Sequence, residues 1–366
     1  MKSSFLAEDV TLLLKDITGC IEALPTAERE RRIQTGTHYS EMLPLEYRPS
    51  EEYICAYENA LRVFGRSTAE AVMQVSDRIV RRKGKDVVIV SLVRAGTPVG
   101  VLISRYIRKK YGFACPHYSI SIIRDRGIDR NAVNFILSRH KGKDIQFVDG
   151  WVGKGVIYKE LRKVLKEFPG MDDRLAVLAD PAGVTELCGT HEDIMIPSSC
   201  LNCTVSGLIS RSVLREDLIR ENDFHGAACY NELAEEDRTY EFIRSIEACF
   251  RFDLPVKKED QGEVKENRKA NLSEQSIEES PGMLEVERIR NLYGIGNVNF
   301  IKPGIGETTR VLLRRVPWKV LVDERFRNVT EMQHIFRLAE EKNVKIEIVH
   351  LEQYKCCGII KQISDI

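Results

Sequence analysis

The chain has 366 residues, 43% of them apolar, and its 55 lysines and arginines are balanced by 55 aspartates and glutamates. That length and apolar content suffice for two globular cores, and zero net charge excludes a global field drawing the chain to nucleic acid or membrane, so any such partner needs a local patch. No apolar run approaches the roughly 18 residues of a membrane span, and the opening MKSSFLAEDVTLLLKD carries acids inside its apolar stretch, unlike a secretory signal. A cytoplasmic protein is expected, and its ten cysteines are expected as thiols rather than as a disulfide frame.

The pattern predicts a helix from about Arg66 to Arg82, then a buried strand over Val87 to Val93 that ends in Arg94-Ala95-Gly96-Thr97-Pro98, with a helix starting on or after Pro98. A further strand is predicted near Pro116 to Arg124. Ile145 to Asp149 repeats the design, with Gly150, Gly153 and Gly155 before a helix over Val156 to Leu165, and another strand follows at Leu175 to Ala179. Strands alternating with helices imply a parallel α/β sheet with ligands at its carboxyl edge. A Gly-rich turn into a helix N-terminus exposes backbone N–H groups that suit phosphate. Between the two turns, Arg124 to Arg130 carries enough basic charge for a mobile lid, or for a solvated cluster.

Residues 182–212 are rich in Gly, Ser, Thr and Cys, a composition more often functional than idle in so long a connector. Within and after them, Cys200 and Cys203 have CxxC spacing without a second pair. His225 and Cys229, with Asp223, lie at i, i+4. His191-Glu192-Asp193 offers metal-ligand types without a recognised spacing, and no metal site is assigned. Residues 256–288 are dominated by charge and lack aromatics, so they read as a linker between a unit at 1–255 and a smaller one at 289–366. In the smaller unit, strands are predicted at Lys319 to Val322 and Lys345 to Val349. A capping box of Thr330 with Gln333 opens the helix between them, Cys356-Cys357 lies in a buried terminal strand, and Phe300 and Trp318 are assigned to core packing.

Three resemblances attach to these residues. Val148-Asp149 and Gly153-Lys154-Gly155 resemble the ribose-phosphate loop of type I phosphoribosyltransferases, with Arg94, Ala95, Gly96 and Thr97 as that fold's pyrophosphate loop. Gly150 stands where a second acid is usual, and Lys154 where Thr is usual. The resemblance implies an α/β type I phosphoribosyltransferase-like sheet with a hood segment. It also implies transfer of ribose-5-phosphate between pyrophosphate and a base, with Arg94, Asp149 and Lys154 as catalytic groups. Gly150, Gly153, Gly155, Arg124, Arg126, Ser206 and Arg211 would be further substrate contacts, phosphoribosyl pyrophosphate or a nucleotide the small-molecule partner, and Mg²⁺ the cofactor.

QTGTHYSEMLPLEY together with the segments at 182–214 and 222–243 resembles, over most of residues 30–250, a bacterial group labelled StiP cysteine protease and associated with tellurite resistance and stress, which implies a cysteine peptidase as the alternative. A non-catalytic nucleotide sensor is the third reading, favoured by Gly150. The C-terminal unit is similar to the Pelota and kink-turn-binding family, implying a small α/β domain that contacts structured RNA through Gly304, Gly306, Glu307, Arg310, Arg314 and Arg315. The acceptor base and the oligomeric state, a homodimer among the options, are left open.

Overall fold

The computed structural model describes residues 1–252 and 277–360, without the side chains of Glu30, Gln34 and Arg314. Six parallel strands form the main sheet: β1 (Thr11–Leu12), β2 (Val88–Leu92), β3 (His117–Ile120), β4 (Ile145–Trp151), β5 (Leu175–Ala179) and β6 (Cys188–Thr190), in the spatial order β1-β3-β2-β4-β5-β6. Alternate side chains sort to opposite faces. Ile89, Val148, Ala176 and Leu178 meet the long helix α1 (Glu51–Lys83) and α2 (Gly96–Tyr111), while Val88, Val90, Phe147 and Val177 meet α3 (Arg130–Leu137) and α4 (Val156–Leu165). A further helix, α5 (Thr239–Glu247), joins α1 and α2, and Arg105 fastens it by bonding Glu247 at 2.8 Å and the buried Asp9 at 2.8 and 2.9 Å. No helix of the described residues is long and apolar enough to cross a membrane.

From β2 the chain moves to β3 on one side, and from β4 to β5 on the other, so the connections diverge between neighbouring strands. This switch point brings the 94–97 and 149–155 turns together. The approach is close: a Cβ on Gly96 would lie 2.9 Å from the Val148 carbonyl oxygen and 3.1 Å from Asp149 Cα.

The C-terminal unit begins inside the expected linker. Helix α6 (Pro281–Tyr293) has Ser280 as N-cap, its Oγ accepting from Met283 N at 3.3 Å, and a left-handed Gly294 after its end. Residues 256–276 of that linker lie outside the described residues. The sheet is β7 (Ile301–Pro303), β8 (Pro317–Asp323), β9 (Lys345–Val349) and β10 (Cys356–Ile360), ordered β7-β10-β8-β9, with only the β8–β9 pair parallel. Helices α7 (Ile305–Arg314) and α8 (Gln333–Glu341) cover it. The Thr330–Gln333 capping box does not form: a short 3₁₀ turn occupies Thr330–Met332, and α8 starts without a side-chain cap.

The two units share one apolar cluster, in which Ile305, Leu312, Met332 and Ile335 join Phe64, Ile194, Met195 and Ile196. The smaller unit is therefore seated on the carboxyl edge of the main sheet, where the sequence pattern placed the ligand.

Candidate functional site

At the β4 turn, the expected phosphate cradle is filled by the chain's own C-terminal unit. Tyr354 donates its hydroxyl to the Gly153 carbonyl at 2.8 Å, and Lys154 Nζ donates to the carbonyls of Val298 at 2.7 Å and Ile301 at 3.2 Å. Gly155, at φ +79°, faces Ile277 so closely that a Cβ would lie 2.5 Å from its Cγ2. Burial, above all other causes, lowers the Lys154 ammonium to about 8. A loop packed this way has no room to wrap a phosphate, and Lys154 serves as a tie between units.

Arg94 is also committed elsewhere. Its Nη1 donates to Glu46 at 2.9 Å and its Nη2 to Asn202 at 3.2 Å, while Asn202 donates back to Glu46 at 2.9 Å. A Cβ on Gly150 would lie 3.7 Å from Ala95 Cβ, and buried Thr97 shares a hydrogen bond with Ser119 at 2.7 Å. The expected lid is a packed hairpin, Ile122–Ile123 against Gly127–Ile128, with all three isoleucines buried. Within it Arg126 pairs with Glu41 and donates to Leu214 O at 3.1 Å, and Arg124 reaches Asp125 at 3.2 Å. Ser206 donates to Asn202 O at 2.8 Å. Arg211 lies in the same region as Arg94 and faces Tyr39.

Asp149 remains at the switch point, its Oδ1 accepting from Gly150 N at 2.7 Å, and burial raises its carboxyl to about 7. Its pKa exceeds the unfolded value of about 3.9, so the folded state binds the proton more tightly. The stabilisation this gives is complete below the unfolded pKa and disappears as pH rises through 7. Asp149→Asn keeps an acceptor for Gly150 and carries no charge. It is expected to melt above the wild type at pH 8 and level with it at pH 4. Equal melting at pH 8 in a pH series of thermal scans would count against a buried, proton-holding Asp149.

The thiols sort clearly. The ten cysteines form no disulfide among the described residues. Cys200 and Cys203 are both buried, and burial foremost pushes the Cys203 thiol up to about 12. His225 and Cys229 do not lie on a helix: β-structure intervenes at Gly226–Ala227, His225 Nδ1 bonds Ser121 Oγ at 2.8 Å, and Cys229 Sγ points to Asn231 Oδ1 at 3.4 Å. That pair is not brought together.

A different pair is. Cys188, at the start of β6, has its Sγ 3.4 Å from His191 Nε2, and His191 Nδ1 lies 3.0 Å from the backbone carbonyl of Asp180 and 3.7 Å from its carboxylate. Strand β5 positions Asp180, whose Oδ2 holds the next turn by accepting from Val184 N and Thr185 N, each at 2.8 Å. Register places the partners together, since β5 and β6 run parallel with Val177 opposite Cys188 and Ala179 opposite Thr190. Burial is the main reason that the Cys188 thiol is raised to about 12; the Asp180 charge adds to this, and the Arg78 guanidinium opposes it. The signal available in the sequence was Cys and His three residues apart in CGTH, following a strand that ends in an acid. The uniform Gly, Ser, Thr and Cys richness of 182–212 masks it.

His191-Glu192-Asp193 divides its roles. His191 faces Cys188, while Asp193 clasps the C-terminal unit, accepting from Ile305 N at 3.0 Å and Lys355 N at 2.9 Å. Among the described residues no group of three His, Cys, Asp or Glu side chains is placed to hold a metal ion.

The residues expected to meet RNA are partly covered. A Cβ on Gly304 would lie 3.0 Å from Asp193 Oδ1, and one on Gly306 would lie 3.3 Å from Ser199 Oγ. Glu307 accepts from Arg310 at 3.0 Å, and the Arg310 guanidinium sits 5.9 Å from the Trp151 ring. This turn faces the main sheet across a small cavity that Trp151 and Asp193 help to line. Arg315 is exposed, and the side chain of Arg314 lies outside the described residues. Trp318, expected in the core, is 42% exposed.

Comparison with known proteins bears on these sites. Residues 3–247 match a family described as tellurite-like stress resistance cysteine protease StiP, and residues 280–362 match the PELOTA RNA binding domain. A relative from Acinetobacter baylyi named cysteine protease StiP is 38% identical over 335 residues, covering 87% of this chain and 83% of the relative. Both names conflict with a phosphoribosyltransferase. That reading, with phosphoribosyl pyrophosphate as substrate, is overturned by them, in keeping with the filled cradle at Gly153–Gly155. The chain belongs to the StiP family and carries a C-terminal Pelota domain.

Proposed function

We propose that the protein is a cysteine peptidase in which Cys188 is the nucleophile, His191 the general base and Asp180 the group that orients the imidazole. The observation that carries this reading is the 3.4 Å separation of Cys188 Sγ and His191 Nε2, with Nδ1 held 3.0 Å from the Asp180 carbonyl. A nucleophile within reach of a base that is itself oriented by a third group is what nucleophilic acyl transfer requires. An Nδ1–H donated to that carbonyl leaves Nε2 as the acceptor facing the thiol. As sulfur attacks the peptide carbonyl carbon, its proton passes to Nε2, and the imidazolium forms 3.7 Å from the Asp180 carboxylate. The same proton then goes to the leaving amine. Water next attacks the thioester, losing a proton to Nε2, which returns it to the departing sulfur. Since burial holds the resting thiol protonated, the thiolate forms only in step with transfer. Alkylation by iodoacetamide with peptide mapping tests the pair: labelling of Cys188 should slow in His191→Ala while exposed Cys20 and Cys55 react unchanged. Equal Cys188 rates in both proteins would remove His191 as its base.

RNA binding by the C-terminal unit is supported by its domain match and by an outward face away from the docked turn. Lys319 Nζ sits 4.4 Å from the Trp318 ring and 4.6 Å from the Tyr293 ring, and Lys345 pairs with Lys319 in register. The exposed Trp318 ring, beside half-buried Tyr293 and the Glu347-paired Lys319, suits a stacked base, worth about 1–3 kcal/mol. Trp318→Ala is expected to weaken binding of a structured RNA about tenfold, measured by fluorescence anisotropy at fixed salt. Unchanged affinity would move RNA off this face.

A further inference from the structure

Tyr39 is the centre of a cationic cluster on the opposite side of the switch point from the Cys188 pair. The Arg124 guanidinium lies 5.6 Å from its ring and that of Arg211 5.8 Å, while Arg124 N–H donates to the Tyr39 hydroxyl at 2.9 Å. Arg29 and Arg94 are near enough to Arg211 to act on its charge, and the neighbouring acids are each paired, Glu46 to Arg94 and Asn202, Glu41 to Arg126 and Asp125 to Arg124. Burial first, then those two like charges, hold the Arg211 guanidinium down at about 10.

Two donors in this cluster are sealed from solvent without an acceptor. Arg211 Nε has no hydrogen-bond partner among the described residues, and neither has His38 Nε2. The His38 ring lies 4.5 Å from that of Tyr39; its Nδ1 meets Ser40 Oγ at 2.8 Å and accepts from Ser40 N at 3.3 Å, and with the Ser40 hydroxyl also donating to Nδ1 the proton rests on the orphaned Nε2. A buried donor with no acceptor costs about 1–3 kcal/mol, and an arginine pressed by like charges adds to that cost. An anion with several acceptor oxygens relieves both. The like charges beside Arg211 favour a dianion, and the Nε edge of Arg211 can meet two of its oxygens at once.

We propose that Arg211 and His38, with Arg124 over the Tyr39 ring, form a binding site for a phosphate-class dianion, and that Arg29 and Arg94 contribute only their positive charge beside Arg211. The site is independent of the peptidase chemistry and stands or falls without it. The ligand is free phosphate or the phosphoryl group of a small monoester, sources that share the same recognition.

Calorimetric titration of the full chain at constant ionic strength tests the proposal, with inorganic phosphate, O-phosphoserine and acetate as three arms. Phosphate or phosphoserine should bind with one site per chain and acetate should not. Tighter phosphoserine identifies a monoester as the source, and tighter inorganic phosphate identifies the free ion. Arg211→Gln should weaken binding at least tenfold, while Arg211→Lys should recover part of it. Because Arg211→Gln removes a half-buried side chain, its fold is checked by circular dichroism. Arg124→Gln, altering a side chain 41% exposed, should weaken the same anion if Arg211→Gln fails to fold. Absence of phosphate-class binding to the wild type, binding of acetate with equal strength, or undiminished affinity in a folded Arg211→Gln chain would overturn the site.

Discussion

Cys188→Ala is expected to lower kcat/KM for peptide hydrolysis by about 10⁴-fold or more, the usual scale for loss of a covalent nucleophile. The folded state should survive, since the change removes one sulfur from the edge strand β6 and leaves its ladder with β5 intact. His191→Ala should cost nearly as much, and the double variant little more than either alone, because the two groups act as one unit. Asp180→Asn is a different case. The backbone carbonyl that accepts from His191 remains, but the carboxylate that would face the imidazolium is lost, so a smaller fall in kcat is expected. Cys200→Ala and Cys229→Ala serve as controls and should leave turnover in place, as the Cys229 thiol is directed to Asn231 and His225 to Ser121. Release of peptides from an unfolded protein substrate measures all six. Full activity in Cys188→Ala would sink the assignment.

The second large effect concerns the seat of the C-terminal unit. Gly282 N donates to the Ala182 carbonyl at 3.0 Å, and a Cβ at Gly282 would fall 2.3 Å from the Tyr354 hydroxyl and 2.5 Å from Ala182 Cα. Backbone stands on one side of that contact, so the space cannot open by a rotamer change. Gly282→Val should therefore loosen the seating, costing about 1–3 kcal/mol from overpacking alone. Loss of the Tyr354–Gly153 hydrogen bond would follow. Hydrogen exchange should show reduced protection of backbone around 152–155 and 182–185, while β2 and β4 stay protected. Unchanged protection at those turns would mean that the contact is not what holds the units together.

Legibility in the sequence tracked the strength of local apolar pattern. The strand at Leu175–Ala179 and the helix at Val156–Leu165 were readable to the residue, because a short apolar run and a 3.6-residue stripe leave little alternative. The pattern predicts helix α1 only from Arg66, yet it begins at Glu51. Its first turns carry scattered acids, and their buried members Tyr57, Ala60 and Phe64 find their partners in distant segments. The turns at 94–98 and 150–155 are legible in the sequence, but their occupant is not. Nothing local in Gly153-Lys154-Gly155 distinguishes a loop that wraps phosphate from one that receives Tyr354 and Ile277. The Cys188–His191 pair was hidden for a similar reason, since its third member, Asp180, comes from the neighbouring strand.

The turn that follows Asp180 has two tenants. One end orients His191, and at the other the Ala182 carbonyl receives Gly282. Two ligands whose sites meet at one segment are joined by a linkage relation: if RNA prefers one seating of the Pelota domain by some factor, and that seating changes substrate affinity, each ligand must alter the other's binding by the same ratio. RNA that tightens peptide binding would then itself be held more tightly by a peptide-loaded chain, and RNA that loosens it would be expelled as peptide accumulates.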